Sequence, residues 1–429
     1  MVRREAIVCP DLPKPVMGSH ALKAGDFVFL GGQLPTDYRN GLVPEVDTPP
    51  AAANSIVAAK LQSDYILRTT QAILKAAGSS LQSGVRIDQF VTRPEAASPY
   101  LEVRSNHVEM SIRPASTHIQ LQEFLVPRAI VTLELIGVTD RLGARKEMIY
   151  IEEMPKSPAG PFRGAPQGVK AGGLVFLTGQ IASDFKTGVA PEARTTPAFW
   201  YGSPIKLQTE YVLKQLRKVL EAGGSSLKNV VRADVYLTNM ADVYELEEVW
   251  KQYFPENPPA RTIVPVVRLG AADCLVEINM IAVEDASGIR PAPIAAKEVP
   301  PSPWHHPHAV RAGDLVFISG LCATETGEGS APEARIHPEM PWFGSAGRRE
   351  TDHILKHMSA ICRAAGSRLE NVVWMQGFYT DLRQFQASLE SWVRHFPKTP
   401  PAAFVAGVHG PHFVPECSVL FDAVAVVSG

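Results

Sequence analysis

The sequence predicts an α+β protein made of three tandem β-β-α-β-α-β-β units, closed into a pseudo-threefold trimer with sheets inside and helices outside. Two observations carry this expectation: one phrase returns three times, and the markers between its returns keep a fixed order. The phrase reads KAGDFVFLGGQ from Lys23, KAGGLVFLTGQ from Lys170 and RAGDLVFISGL from Arg311. Gly78-Ser79-Ser80-Leu81 answers to Gly224-Ser225-Ser226-Leu227 and Gly366-Ser367-Arg368-Leu369, and Pro114-Ala115-Ser116 to Pro259-Ala260-Arg261 and Pro401-Ala402-Ala403. The second and third copies also share an insertion, Ala190 to Arg194 and Ala331 to Arg335.

The second copy is the clearest. Leu174 to Thr178 is a short β run that ends in a Gly-Gln turn before a loop rich in Pro and Gly. From Ile205 to Ala222 the apolar residues Val212, Leu216, Val219 and Leu220 repeat at helical spacing, and Gly223-Gly224 supplies the stop. Val230 to Leu237 alternates like a half-buried strand. Asp242 opens a second helix with Leu246, Val249, Trp250 and Tyr253 on one face, ended by Pro255 to Pro259. Strands over Thr262 to Val267 and Leu275 to Val283 close the unit. Such a sheet needs a cover on its second face, and the matching faces of the other copies provide one. Pro-rich connectors near Arg145 and over Gly288 to Pro303 divide the chain into modules 1–145, 146–290 and 291–429. A monomer with an internal pseudo-trimer is therefore expected, with pockets in the grooves between copies.

Length alone, at 429 residues, suggests roughly three domains. Lys+Arg 42 against Asp+Glu 44 leaves a formal charge of −2, without the basic stripe that nucleic acid or an anionic membrane would demand. No run is long enough to span a bilayer and no leader pattern opens the chain, so a cytoplasmic protein is expected. Five scattered cysteines without CxxC spacing point to buried thiols rather than disulfides or zinc.

The chemistry-bearing stretch is Asn257 to Val283. Arg261 begins one β run and Glu277 lies in the next, and adjacent strands would join them into a clamp in which a guanidinium grips a substrate carboxylate. The blander reading is a structural ion pair between strands. Arg261→Ala is expected to remove activity and spare the fold, on the premise that a cleft arginine is exposed. His305, His306 and His308 in a Pro-rich loop lack an acid or cysteine at ligand spacing, so no metal is expected. Glycines here are turn residues, since no phosphate-cradling spacing occurs.

AGDLVF-SGQ, the AGSSL helix end, VYLTNM and the closing PPART and VEINMIAV resemble the reactive-intermediate deaminase (Rid, YjgF-like) family, over essentially the whole chain as three modules. The resemblance implies a chorismate-mutase-like unit, a trimer folded from one polypeptide, and hydrolysis of enamines or imines to keto acids and ammonia without a cofactor. Carried over residue by residue, it implies a carboxylate-binding Arg261, a water-holding acid at Glu277, and a hydroxyl at Thr178 beside Gly179. The matching places hold Ser116, Thr132 and Gly31 in the first copy and Ala403, Leu420 and Ser319 in the third. The family's loop tyrosine falls near Gly18, Ala165 and His306, and His306 is the one equipped for proton transfer. One active site between modules is expected, with Glu277, Thr178 and His306 catalytic and Arg261 and Gly179 binding substrate. The alternatives are a ring-opening amide or cyclic-imide hydrolase of this architecture, or a non-catalytic binder of small carboxylates.

Overall fold

The computed structural model describes residues 2–48, 55–109, 112–156, 165–196, 202–325, 329–340 and 342–427. In the first module the order is β1 (Arg4–Ile7), β2 (Ala21–Ala24), β3 (Phe27–Gln33), α1 (Ser55–Ala76), β4 (Gly84–Val91), α2 (Ala97–His107), β5 (Ala115–Gln120), β6 (Glu123–Phe124), β7 (Val131–Val138) and the short α3 (Asp140–Gly143). The second runs β8 (Glu147–Ile149), β9 (Gly168–Ala171), β10 (Leu174–Leu177), β11 (Gln180–Ile181), α4 (Pro204–Ala222), β12 (Val230–Leu237), α5 (Val243–Tyr253), β13 (Ala260–Pro265) and β14 (Val276–Val283). The third has β15 (Pro291–Ile294), β16 (Ala309–Ala312), β17 (Leu315–Cys322), α6 (Ala346–Ala364), β18 (Val372–Tyr379), α7 (Phe385–His395), β19 (Ala402–Gly407) and β20 (Val419–Val426).

Each module forms one sheet. In the second, β14 lies between β10 and β12 and runs antiparallel to both, while β12 pairs in parallel with β13 at the edge. The first and third repeat this with β3-β7-β4-β5 and β17-β20-β18-β19. Each sheet also gains a short leading strand that the repeat unit did not include: β1, β8 and β15 pair with β2, β9 and β16. Pro291 and Pro293 are tolerated in β15 because it is an edge strand with one free side.

Helices cover one face of each sheet. On α4 the buried Ile205, Val212, Leu216, Val219 and Leu220 form the stripe that the spacing foretold. Ser203 caps its N-terminus by accepting from the Lys206 N–H. Gly224 takes φ +69 just past its end, as Gly78 and Gly366 do at φ +72 and +76 after α1 and α6. The opposite faces meet one another: Phe29, Ile136, Phe176, Ile281, Phe317 and Val424, two from each sheet, share one buried cluster. Sheets therefore face inward and helices outward, as the sequence led one to expect. β6 of the first module completes the third module's sheet by pairing with β19.

Candidate functional site

Three seams join the modules, and each is made the same way. The edge strand of one module (β5, β13 or β19) lies against the turn after the first hairpin of the next. At the first seam the Thr178 hydroxyl donates to Pro166 O (2.7 Å) and accepts from the Ser116 N–H (3.3 Å), while the Gly179 N–H donates to Ser116 O at 3.0 Å. At the second seam Ser319 repeats this, donating to Pro307 O at 2.6 Å and accepting from the Arg261 N–H at 3.2 Å. At the third, a Cβ on Gly31 would stand 2.6 Å from Ala403 O, so only glycine fits.

This geometry divides the residues that the sequence reading had gathered. β12 runs between β13 and β14, with Ala233 opposite Arg261 and Tyr236 opposite Glu277. Arg261 belongs to the seam with the third module, Glu277 to the seam with the first. The expectation of a single clamp fails because the chain inserts β12, an earlier strand, between two strands consecutive in sequence. Thr178 and Gly179 go with Glu277, and His306 goes with Arg261.

At the second seam Arg261 is 1% exposed, not open to solvent as expected. Its Nη2 bonds Glu247 Oε2 at 2.6 Å and its guanidinium stacks 4.5 Å from the centre of the Trp250 ring. Nε and Nη1 have no hydrogen-bond partner among the described residues. Burial lowers the pKa of this guanidinium and Glu247 opposes the shift. Glu247 Oε1 also accepts from the His305 N–H, and Trp250 Nε1 donates to His305 O at 3.2 Å, so α5 holds the third module's loop. His306 lies in that loop with Nε2 2.9 Å from Ser302 Oγ; burial and the charge of Arg261 push it down to about 3, which keeps it neutral near pH 7. His306 and Ser319 line a cavity of about 40 Å³.

At the first seam Glu277 is 5% exposed. Its Oε1 sits so near Gly179 that a Cβ there would meet it at 2.2 Å. Burial pushes the carboxyl up to about 8, Asp88 adding to the rise and the backbone N–H of His118 opposing it. A cavity of about 250 Å³ opens here between His118 and Gln120 of the first module and Arg268 to Ala272 of the second.

The family model for Endoribonuclease L-PSP matches this chain over residues 156–284 and again over 297–427. The chain belongs to this Rid (YjgF-like) family. A RutC family protein of Pyrococcus horikoshii is 41% identical over 140 residues, which is 33% of this chain and 99% of that protein. Reactive Intermediate Deaminase A, chloroplastic, of Arabidopsis thaliana is 32% identical over 32% of this chain and 66% of its own length. Among solved structures, a putative endoribonuclease of Thermotoga maritima has 34% identity and a TM-score of 0.27, covering 32% of this chain and 98% of that one. RidA from a Psychrobacter species has 30% identity and a TM-score of 0.26, over 32% and 98%.

Within this Rid-family chain the Thr178 hydroxyl both donates to and accepts from backbone, as a strand-end hydroxyl would. His308 accepts the Ala296 N–H at Nδ1 and meets Pro300 O through Nε2, so its ring serves the loop's own packing, while His305 meets Phe254 O at 2.7 Å and ties the loop to the second module. All five cysteines are buried and free. Sequence reading missed Glu247 as the partner of Arg261, although it stands one helical turn before Trp250, which was read as core. It also passed over Arg104, a charge on the buried stripe of α2.

Proposed function

We propose that this Rid-family chain is a hydrolase of small imines or enamines that carry a carboxylate, releasing ammonia, and that the reaction belongs to the cleft between the first and second modules. One observation carries the reading: of the three equivalent positions Thr132, Glu277 and Leu420, only Glu277 bears a carboxyl, and it lies buried at that seam against Gly179. With its pKa near 8 the group is mostly protonated at pH 7 and can give its proton to the enamine carbon. The carboxylate left behind takes a proton from the water that adds to the iminium carbon. The resulting carbinolamine then expels ammonia and leaves a keto acid, so enamine and water balance keto acid and ammonia. Confinement in the cleft supplies the positioning that such reactive substrates need.

The test is release of ammonia and pyruvate from 2-aminoacrylate generated in the assay. Glu277→Gln is expected to lower the rate by about 10²-fold or more, whereas Arg261→Lys should keep most of it. Loss on Arg261→Lys in a folded protein, with Glu277→Gln active, would return the chemistry to the second seam. A second reading, a small-carboxylate binder without turnover, is favoured by Arg261, whose Nε and Nη1 have no hydrogen-bond partner among the described residues. Ligand binding with no acceleration of ammonia release would establish it.

A further inference from the structure

The cleft that holds Glu277 has Ser116 where the second module has Arg261, so its strand offers no cation. The helix above offers one instead. The N–H after α2 closes on the carbonyl of Arg104, the one after α5 on that of Trp250, and the one after α7 on that of Trp392. Arg104 and Trp250 are therefore the same position. Ser116 and Arg261 are likewise one position, each paired in parallel with the matching residue of the neighbouring strand, Ile87 and Ala233. In the second module the strand carries the arginine and the helix the tryptophan it stacks on. In the first module the arginine has moved to the helix and a small serine leaves room for it.

Arg104 is 2% exposed, and among the described residues no carboxylate pairs with it. Its Nη1 donates to Gln89 Oε1 at 2.8 Å, and its guanidinium lies 6.0 Å from the centre of the Tyr100 ring. Gln89 is in register with His118, whose ring feels the Arg104 charge and whose backbone N–H bonds Glu277. The same His118 lines the 250 Å³ cavity at this seam. A buried guanidinium without a counter-charge is costly unless an anion joins it. We infer that Arg104 is the carboxylate-binding cation of the cleft between the first and second modules, placing a small 2-oxo or 2-imino acid between itself and Glu277. This rests on the reaction proposed above only for the imine; the carboxylate site stands on its own geometry.

The probe is pyruvate, followed by NMR through the ring signals of His118, which lies at this seam and no other. In the wild-type protein pyruvate should shift those signals to saturation. Arg104→Gln should weaken the titration at least tenfold, and adding Ser116→Arg should restore it by returning the cation to the strand. Glu277→Gln should still bind pyruvate while no longer releasing ammonia, which separates failure of the binding site from failure of the catalytic reading. An unchanged His118 titration in a folded Arg104→Gln variant would overturn the inference. If that variant does not fold, the wild-type titration decides: His118 signals that stay put while pyruvate binds elsewhere would overturn it equally.

Discussion

Arg261 and Glu247 form a buried pair, and removing one member strands the other. Arg261→Ala should therefore cost about 3–5 kcal/mol of unfolding free energy in urea, the reverse of what an exposed cleft arginine would do. Adding Glu247→Gln should recover part of that loss; a cost under about 1 kcal/mol, as for a surface ion pair, would contradict the pairing. Glu277 gives a pH signature. Its folded pKa of about 8 stands above the ordinary value of about 4.3. Between those values the folded protein keeps a proton that the unfolded chain has lost, so stability falls as pH rises through the window. Relative to Glu277→Gln, the wild type should lose stability from pH 5 to pH 8, by at most about 1.4 kcal/mol per unit; parallel profiles would contradict the shift. At this scale the sequence singled out Arg261 and Glu277 but misplaced their partners. Residue type is written in the string, whereas which strand lies between two others is not.

Among the elements, the seams depend on glycine in two different ways. A Cβ on Gly31 would meet backbone, Ala403 O at 2.6 Å and Ala403 N at 2.7 Å, and nothing there can yield without moving a strand. A Cβ on Gly179 would meet Glu277 Oε1, the end of a side chain that can rotate away. Gly31→Ala should thus lower stability by about 1–3 kcal/mol. Gly179→Ala should cost less stability but shift the titration of Glu277, and thermal unfolding with a pH series will check both. Equal losses in the two variants, with no change in titration, would contradict the distinction. Most elements were legible: β12 spans Val230–Leu237 as its alternation implied, although the ring buries both of its faces rather than one, and α5 follows Asp242. The leading strands β1, β8 and β15 were not, being three or four residues each and, in β15, half proline. Nothing in their pattern marks them as strands until a neighbouring edge is present.

In the whole molecule, the ring is closed by buried polar contacts, Arg–Asp at two steps and Gln–Glu at the third. Arg86 of the first module reaches Asp234 of the second at 2.7 Å, Arg232 of the second reaches Asp422 of the third at 3.0 Å, and Gln376 of the third meets Glu134 of the first. Asp234 receives both Arg86 and Arg232. Asp234→Ala should take one of two carboxylate partners from each of Arg86 and Arg232, Asp88 and Asp422 remaining, and cost about 1–3 kcal/mol. Because each module already meets both of the others through these contacts, the chain should scatter light as a single 46.6 kDa copy. A mass three times larger would mean that the modules pair between chains instead. The repeat made the ring legible in the sequence, but only the assembled ring separates Arg261 from Glu277 and brings the acid to the N–H of His118, whose ring feels the Arg104 charge. The most direct measurement is a crystal soaked with pyruvate. Pyruvate is expected in the cleft between the first and second modules, its carboxylate on Arg104 and its keto group toward Glu277. Pyruvate held by Arg261 alone, with none beside Glu277, would contradict it.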